Sequence, residues 1–221
     1  MIDHTLLKPW VVESEIVKIC GEARAFRFAA ACVNSSWVHV AARELEGSGV
    51  SICATIGFPL GACSTAAKAA EAAEAVGSGA AELDMVMNIG LLKGGDCAGV
   101  VRDIAAVNDA ARARARGLGR DVILKVIIEA CYLTDEEKVE ACRLAVEGGA
   151  EFVKTSTGFG PSGATVEDVR LMSRAVGGRA LVKAAGGIQT LAEAKAMIEA
   201  GASRIGTSRG PLLVDEMSRQ A

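Results

Sequence analysis

Residues 151–160 read Glu151-Phe152-Val153-Lys154-Thr155-Ser156-Thr157-Gly158-Phe159-Gly160, a short apolar run that ends on a lysine and enters a glycine-punctuated loop. The two residues before it are Gly149-Ala150, and the same pair recurs as Gly79-Ala80 and Gly201-Ala202, each time after an amphipathic stretch and before an apolar one. Glycine there suits a left-handed helix C-cap, so the three sites mark one repeated helix-to-strand junction. Counting five residues on from each glycine reaches Asp84, Lys154 and Gly206. One supersecondary unit therefore delivers a chemically notable residue to the same end of each strand.

Outward from these junctions, short apolar runs alternate with longer amphipathic ones along the whole chain, the pattern of a parallel sheet built from βα units. Candidate strands are 2–6, 28–33, 50–56, 81–87, 122–128, 151–154, 180–183 and 203–206. Candidate helices lie near 13–25, 35–46, 64–77, 97–116, 135–147, 165–176, 190–200 and 211–219. Thr134-x-x-Glu137, Thr165-x-x-Asp168 and Thr190-x-x-Glu193 have the spacing of capping boxes at three helix starts. Eight strands, each followed by a helix, predict an α/β chain folded as a single (β/α)8 TIM barrel of eight parallel strands, whose strand C-termini form the active face. No stretch has linker composition, so residues 1–221 are expected to be one catalytic domain.

Bulk composition narrows the function classes. The 51% hydrophobic content supports a large core, and with only 4% aromatic residues that core must be aliphatic. A net charge of −3 with both signs interspersed gives no field for nucleic acid or an anionic membrane. The arginines of 111–120 are the one basic cluster, and they read as a solvated helix end. Seven irregularly spaced cysteines without a C-x-x-C pair suggest reduced thiols in a cytoplasmic protein. No basic-then-apolar leader pattern or bilayer-length apolar run is legible, so a soluble cytoplasmic protein is the expectation.

Chemistry collects at the strand ends. Three successive strands carry a lysine: Lys125, Lys154 and Lys183. Lysine is rarely buried without a reason, although a rim lysine snorkelling into water is the plain alternative. Strands five to seven are neighbours in a barrel, so the three amines should lie close together. A second cation beside Lys154 then favours its neutral, nucleophilic form. For Lys125 the competing expectation is an ion pair with Glu129, four residues on. Asp84, inside the apolar run 82–87, and Asp3, at the chain start, supply carboxylates for the proton transfers of imine formation.

Glycine loops follow strands seven (Ala185-Gly186-Gly187-Ile188) and eight (Gly206-Thr207-Ser208-Arg209-Gly210), where such barrels bind phosphate through backbone N–H groups; Gly158 after strand six extends the set. His4 and His39 match no zinc spacing, and no metal or cofactor is expected. His39 reads as a half-buried helix residue. Cys32 closes its candidate strand and is placed at the site mouth or, as the plainer reading, as an inert buried thiol.

These residues bring a family into view. IDHTLLKP (2–9), ELDMVMNIG (82–90), LKVIIE (124–129), FVKTSTGFG (152–160), VKAAGGI (182–188) and IGTS (205–208) together resemble the deoxyribose-phosphate aldolases, class I aldolases of TIM-barrel fold. The resemblance covers essentially the whole chain. It implies reversible cleavage of 2-deoxy-D-ribose 5-phosphate to acetaldehyde and D-glyceraldehyde 3-phosphate. It further implies Lys154 as the Schiff-base nucleophile, Lys183 as the perturbing lysine, and Asp84 as the general acid/base working with Lys183. Asp3 and Lys125 become supporting polar residues, and Gly158, Gly186, Gly187, Gly206 and Ser208 fall in the phosphate positions. A homodimer or higher homo-oligomer acting on small phosphosugars and aldehydes is the expected assembly. The alternatives are another Schiff-base phosphosugar lyase and a catalytically inactive phosphosugar-binding barrel. Three departures stand out. Met1 abuts the first strand where members usually carry a further segment, Arg209 replaces a second small polar residue, and the tail Ser218-Arg219-Gln220-Ala221 lacks the tyrosine with which some members end.

Overall fold

A computed structural model describes residues 1–220. Eight parallel strands close into a barrel in chain order: β1 (Ile2–Leu6), β2 (Ala30–Asn34), β3 (Ser51–Ile56), β4 (Glu82–Val86), β5 (Ile123–Ile127), β6 (Phe152–Lys154), β7 (Leu181–Ala185) and β8 (Arg204–Thr207), with β8 returning to β1. The helices are α1 (Glu13–Ala25), α2 (Val38–Leu45), α3 (Thr65–Ser78), α4 (Ile89–Lys93), α5 (Cys97–Gly117), α6 (Asp135–Glu147), α7 (Val166–Val176), α8 (Leu191–Glu199) and α9 (Gly210–Gln220). The expected eight-fold βα alternation is present. Ala221, the last residue of the expected domain, lies outside the described residues.

Strand periodicity divides the side chains between two environments. Leu83 and Met85 of β4, Leu124 and Val126 of β5, Val153 of β6, and Val182 and Ala184 of β7 join one continuous apolar cluster with the helices. The intervening residues, Glu82, Asp84, Lys125, Lys154 and Lys183, are buried too, and their charges meet one another instead. Successive strand residues point to opposite faces, so a charge two residues from another shares its face. Small residues complete the interior on the far side, where Leu7, Ala30, Cys32 and Cys53 form a second, minor apolar cluster.

Local signals behave as their physics dictates. Gly79, Gly149 and Gly201 have φ of 124°, 90° and 115°, which side-chain-bearing residues avoid. The boxes at Thr134 and Thr190 are complete. At Thr165 only the hydroxyl caps, accepting from the N–H of Asp168, because the Asp168 carboxylate pairs with Lys138 at 2.6 Å.

Several boundaries differ from expectation. β2 begins two residues late because Phe28 stacks on Phe26 before the strand starts, and it runs on through Asn34. β7 extends to Ala185, where Ala184 and Ala185 still register with Ile205 and Gly206 of β8. Residues 35–37 form a single 3-10 turn ahead of α2. The short α4 was not foreseen; its cue is Asn88, whose side chain accepts from the N–H of Leu91 at 3.2 Å. His39 is exposed on α2 rather than half-buried.

Candidate active site

Register builds the site. Asp84 of β4 stands opposite Lys125 of β5, and Lys154 of β6 opposite Lys183 of β7. With the side chains turned inward, all three lysines reach one carboxylate. Lys125 Nζ donates to Asp84 Oδ1 at 3.0 Å, while Lys154 and Lys183 Nζ donate to Oδ2 at 2.7 and 2.6 Å. Asp3 adds a second carboxylate, 2.5 Å from Lys183 and 3.8 Å from Lys125.

Two members of the cluster escaped the sequence reading. Glu82 lies 2.6 Å from Lys125, and Arg204 bridges Asp3 at 2.6 Å and Glu82 at 3.1 Å. Each sits two residues before a residue that was singled out, Asp84 and Gly206, so strand periodicity held the signal. Lys125 does not pair with Glu129. The chain turns at Glu129 into the left-handed region, φ 49°, and the carboxylate swings to Thr157. Strand-face spacing therefore did not carry past the end of β5.

Four cationic side chains (Lys125, Lys154, Lys183, Arg204) thus face three carboxylates (Asp3, Glu82, Asp84). Burial opposes charge on Asp84, yet the ammonium groups of Lys125, Lys154 and Lys183 overcome it and hold the carboxyl well below its usual range. Asp3 is likewise lowered, burial being outweighed by Lys183 and Lys125. Burial also opposes charge on Lys125 and Lys183, but Asp84 and Asp3 raise both. The expectation of lysines repelling one another is incomplete, since the carboxylates interleave them and keep Lys125 and Lys183 charged. Releasing one proton from the cluster would leave three cations against three anions.

Above the cluster lies a cavity of about 440 Å³. Of the three clustered lysines only Lys154 lines it. Gly158, Gly186, Gly187, Gly206 and Ser208 all line it as well, together with Arg209 and Lys8. β8 ends there and α9 begins at Gly210, so a helix N-terminus faces the same end of the barrel. Cys32 is not at this mouth. β2 runs on past it, leaving Cys32 fully buried beside Cys53 of β3, its Sγ 3.9 Å from Asp84 Oδ2. Cys53, unremarked in the sequence, donates to Asp84 Oδ1 at 3.1 Å, and burial pushes its thiol well up. Donor atoms of Cys32, Cys53 and Asp84, and of Asp3, Cys53 and Glu82, gather within 4.8 Å of one another. The Lys125 ammonium stands against both sets, 3.3 Å from Cys53, 3.0 Å from Asp84 and 2.6 Å from Glu82, and supplies the positive charge a metal ion would bring.

Fold and site together define a (β/α)8 barrel whose polar interior is centred on lysine amines beneath a glycine-walled cavity. Residues 1–211 match the model of the DeoC/LacD family aldolases. The deoxyribose-phosphate aldolase of Carboxydothermus hydrogenoformans is 58% identical over 210 residues, spanning 95% of this chain and 90% of that protein. That of a Geobacillus species is 54% identical over 215 residues, 97% of this chain and 93% of that one. The tetrameric deoxyribose phosphate aldolase solved from Aeropyrum pernix superposes with a TM-score of 0.90 at 29% identity, covering all of this chain and 90% of that one. The chain belongs to the DeoC/LacD family of aldolases, carbon–carbon lyases.

Proposed function

We propose that this chain cleaves 2-deoxy-D-ribose 5-phosphate reversibly to acetaldehyde and D-glyceraldehyde 3-phosphate through an imine on Lys154. The relatives named above support the substrate. The observation that carries the mechanism is that Lys154, alone of the clustered lysines, both touches Asp84 and lines the cavity.

In this reading the Lys154 amine adds to the C1 carbonyl, and the carbinolamine loses water to give the imine. Deprotonation of the C3 hydroxyl breaks the C2–C3 bond. D-glyceraldehyde 3-phosphate leaves, and the bonding electrons remain as an enamine over C1 and C2. Protonation at C2 and hydrolysis then release acetaldehyde and restore the amine. Asp84, hydrogen-bonded to Lys154 and Lys183 through one oxygen, relays these protons, with Lys183 as the charged neighbour. Asp3 and Lys125 hold that pair in place. The phosphate sits against Gly158, Gly186, Gly187, Gly206 and Ser208, at the start of α9.

Residues 1–221 act as one catalytic domain, free in the cytoplasm and assembled as a homodimer or higher homo-oligomer. The Aeropyrum relative, a tetramer, supports self-association. No described helix is long and apolar enough to cross a membrane.

Borohydride reduction in the presence of acetaldehyde is expected to add one ethyl group per chain, mapped to Lys154 by peptide mass analysis. Lys154→Ala is expected to abolish both the adduct and turnover while leaving the far-ultraviolet circular dichroism unchanged. Unmodified wild-type protein would remove the imine mechanism.

A further inference from the structure

Glu129 is a buried carboxylate with no cation within ion-pair distance among the described residues, 2% exposed and absent from the proton chemistry above. Its backbone occupies the left-handed region at φ 49° and ψ 65°, which side-chain-bearing residues avoid. Buried charge and strained backbone at one residue require compensation. Thr157 provides it. The Thr157 N–H donates to both carboxylate oxygens, at 3.2 and 3.3 Å, and its hydroxyl donates to Oε2. Thr157 Oγ1 in turn accepts from the N–H of Phe159 at 3.0 Å.

The segment held this way is the wall of the cavity. Thr157, Gly158 and Phe159 all line it, and Gly158 has φ 84°. On its other side the same loop is tied to β7, since Thr155 Oγ1 donates to the carbonyl of Ala185 and accepts from its N–H, each at 3.1 Å. Upstream, Ile128 N–H donates to the Lys154 carbonyl and Ala130 N–H to that of Thr155, so the strained turn at Glu129 runs beside the loop it clamps. Glu129 is therefore the polar side chain that fixes the loop beyond Lys154 from the β5 side.

We propose that Glu129 is a positioning residue for the phosphate end of the substrate. Its carboxylate holds Thr157 and Gly158 where they meet the phosphate, and it takes no part in bond making at Lys154. The inference rests on the phosphosugar reading above and goes beyond it by assigning this residue. Glu129→Gln replaces two charged acceptor oxygens by one neutral carbonyl, so the Thr157 N–H loses its second acceptor and the bonds that remain are weaker. Losing a hydrogen bond to a charged acceptor weakens binding on the order of ten-fold.

Three measurements on the full chain test it. First, Glu129→Gln is expected to raise KM for 2-deoxy-D-ribose 5-phosphate on the order of ten-fold with kcat changed less than about two-fold. Secondly, calorimetric affinity for inorganic phosphate should fall by the same factor. Thirdly, the rate of borohydride trapping with acetaldehyde, which carries no phosphate, should hold. Thr157→Val, which deletes the hydroxyl, is expected to move KM and phosphate affinity the same way, and Thr157→Ser to restore them. These two variants decide the matter if Glu129→Gln misfolds. Unchanged phosphate affinity in Glu129→Gln or Thr157→Val, or an equal loss of acetaldehyde trapping, overturns the proposal. Wild-type protein that binds phosphate but traps no acetaldehyde would sink the aldolase reading, while the phosphate arm still decides the role of Glu129.

Discussion

Two groups of buried lysine in this molecule have opposite characters. Lys68 of α3 is fully buried outside the barrel, 2.6 Å from Asp103 of α5 and 3.0 Å from the carbonyl of Val86. Thr65 satisfies the other Asp103 oxygen at 2.7 Å. One cation meets one anion, every strong partner is internal, and the pair does not line the cavity. The barrel cluster holds four cations against three anions, and one of its lysines lines the cavity. Burial alone therefore does not make a lysine chemical. An unbalanced charge count and a route to a ligand do.

Breaking the closed pair gives the largest expected change in stability. Lys68→Met leaves Asp103 buried and unpaired and should lower unfolding stability by about 3–5 kcal/mol in denaturant titration. Turnover per folded molecule should stay within about two-fold of wild type, because Lys68 touches no part of the cluster. A large fall in turnover at full folding would erase the distinction between the two groups.

Lys183→Ala addresses the open cluster, and here activity should suffer rather than the fold alone. The variant is expected to slow turnover by roughly 100-fold, the scale of losing one assisted proton transfer, and to move the pH optimum to more alkaline values. The shift follows from removing a cation that disfavours further positive charge nearby. A slower enzyme with an unchanged pH profile would reduce Lys183 to a packing role.

The smallest effect is the pH dependence of stability. Asp84 and Asp3 are held below the ordinary carboxylate value of about 3.9, so their contribution is complete above that pH and is lost as pH falls through the folded values. Lys125 and Lys183 are held above their ordinary value of about 10.4, so theirs is complete below that pH and is lost only as pH rises through the folded values. Melting temperatures should consequently show a flat plateau across neutral pH with losses at both extremes. A steady slope through neutrality would mean that these side chains are not charged as described.

Much of the site could be read from the chain. Lys125, Lys154 and Lys183 are conspicuous because lysine interrupts apolar strands, and the glycines that wall the cavity follow strands seven and eight, where such barrels bind phosphate. Lys68 was overlooked for the converse reason, since in an alanine-rich helix a lysine looks like ordinary solvated surface. Glu82 and Arg204 were passed over although each sits on the face of a neighbour already chosen. Cys32 carries two readings, at the mouth or as a buried thiol, and the structure buries it because β2 runs on through Asn34.

The sequence by itself determined the barrel, because helix caps, strand periods and the glycine junctions are local signals that each segment carries alone. It also fixed which chemical groups were available. Tertiary structure decided how those groups pair. Asp84 meets Lys125, Lys154 and Lys183 across separations of 41, 70 and 99 residues, and only strand register brings them to one carboxylate. The turn at Glu129 likewise depends on Thr157, 28 residues away. Coulomb interactions of this kind act over a few ångströms in space and leave no period in the chain for a reader to find.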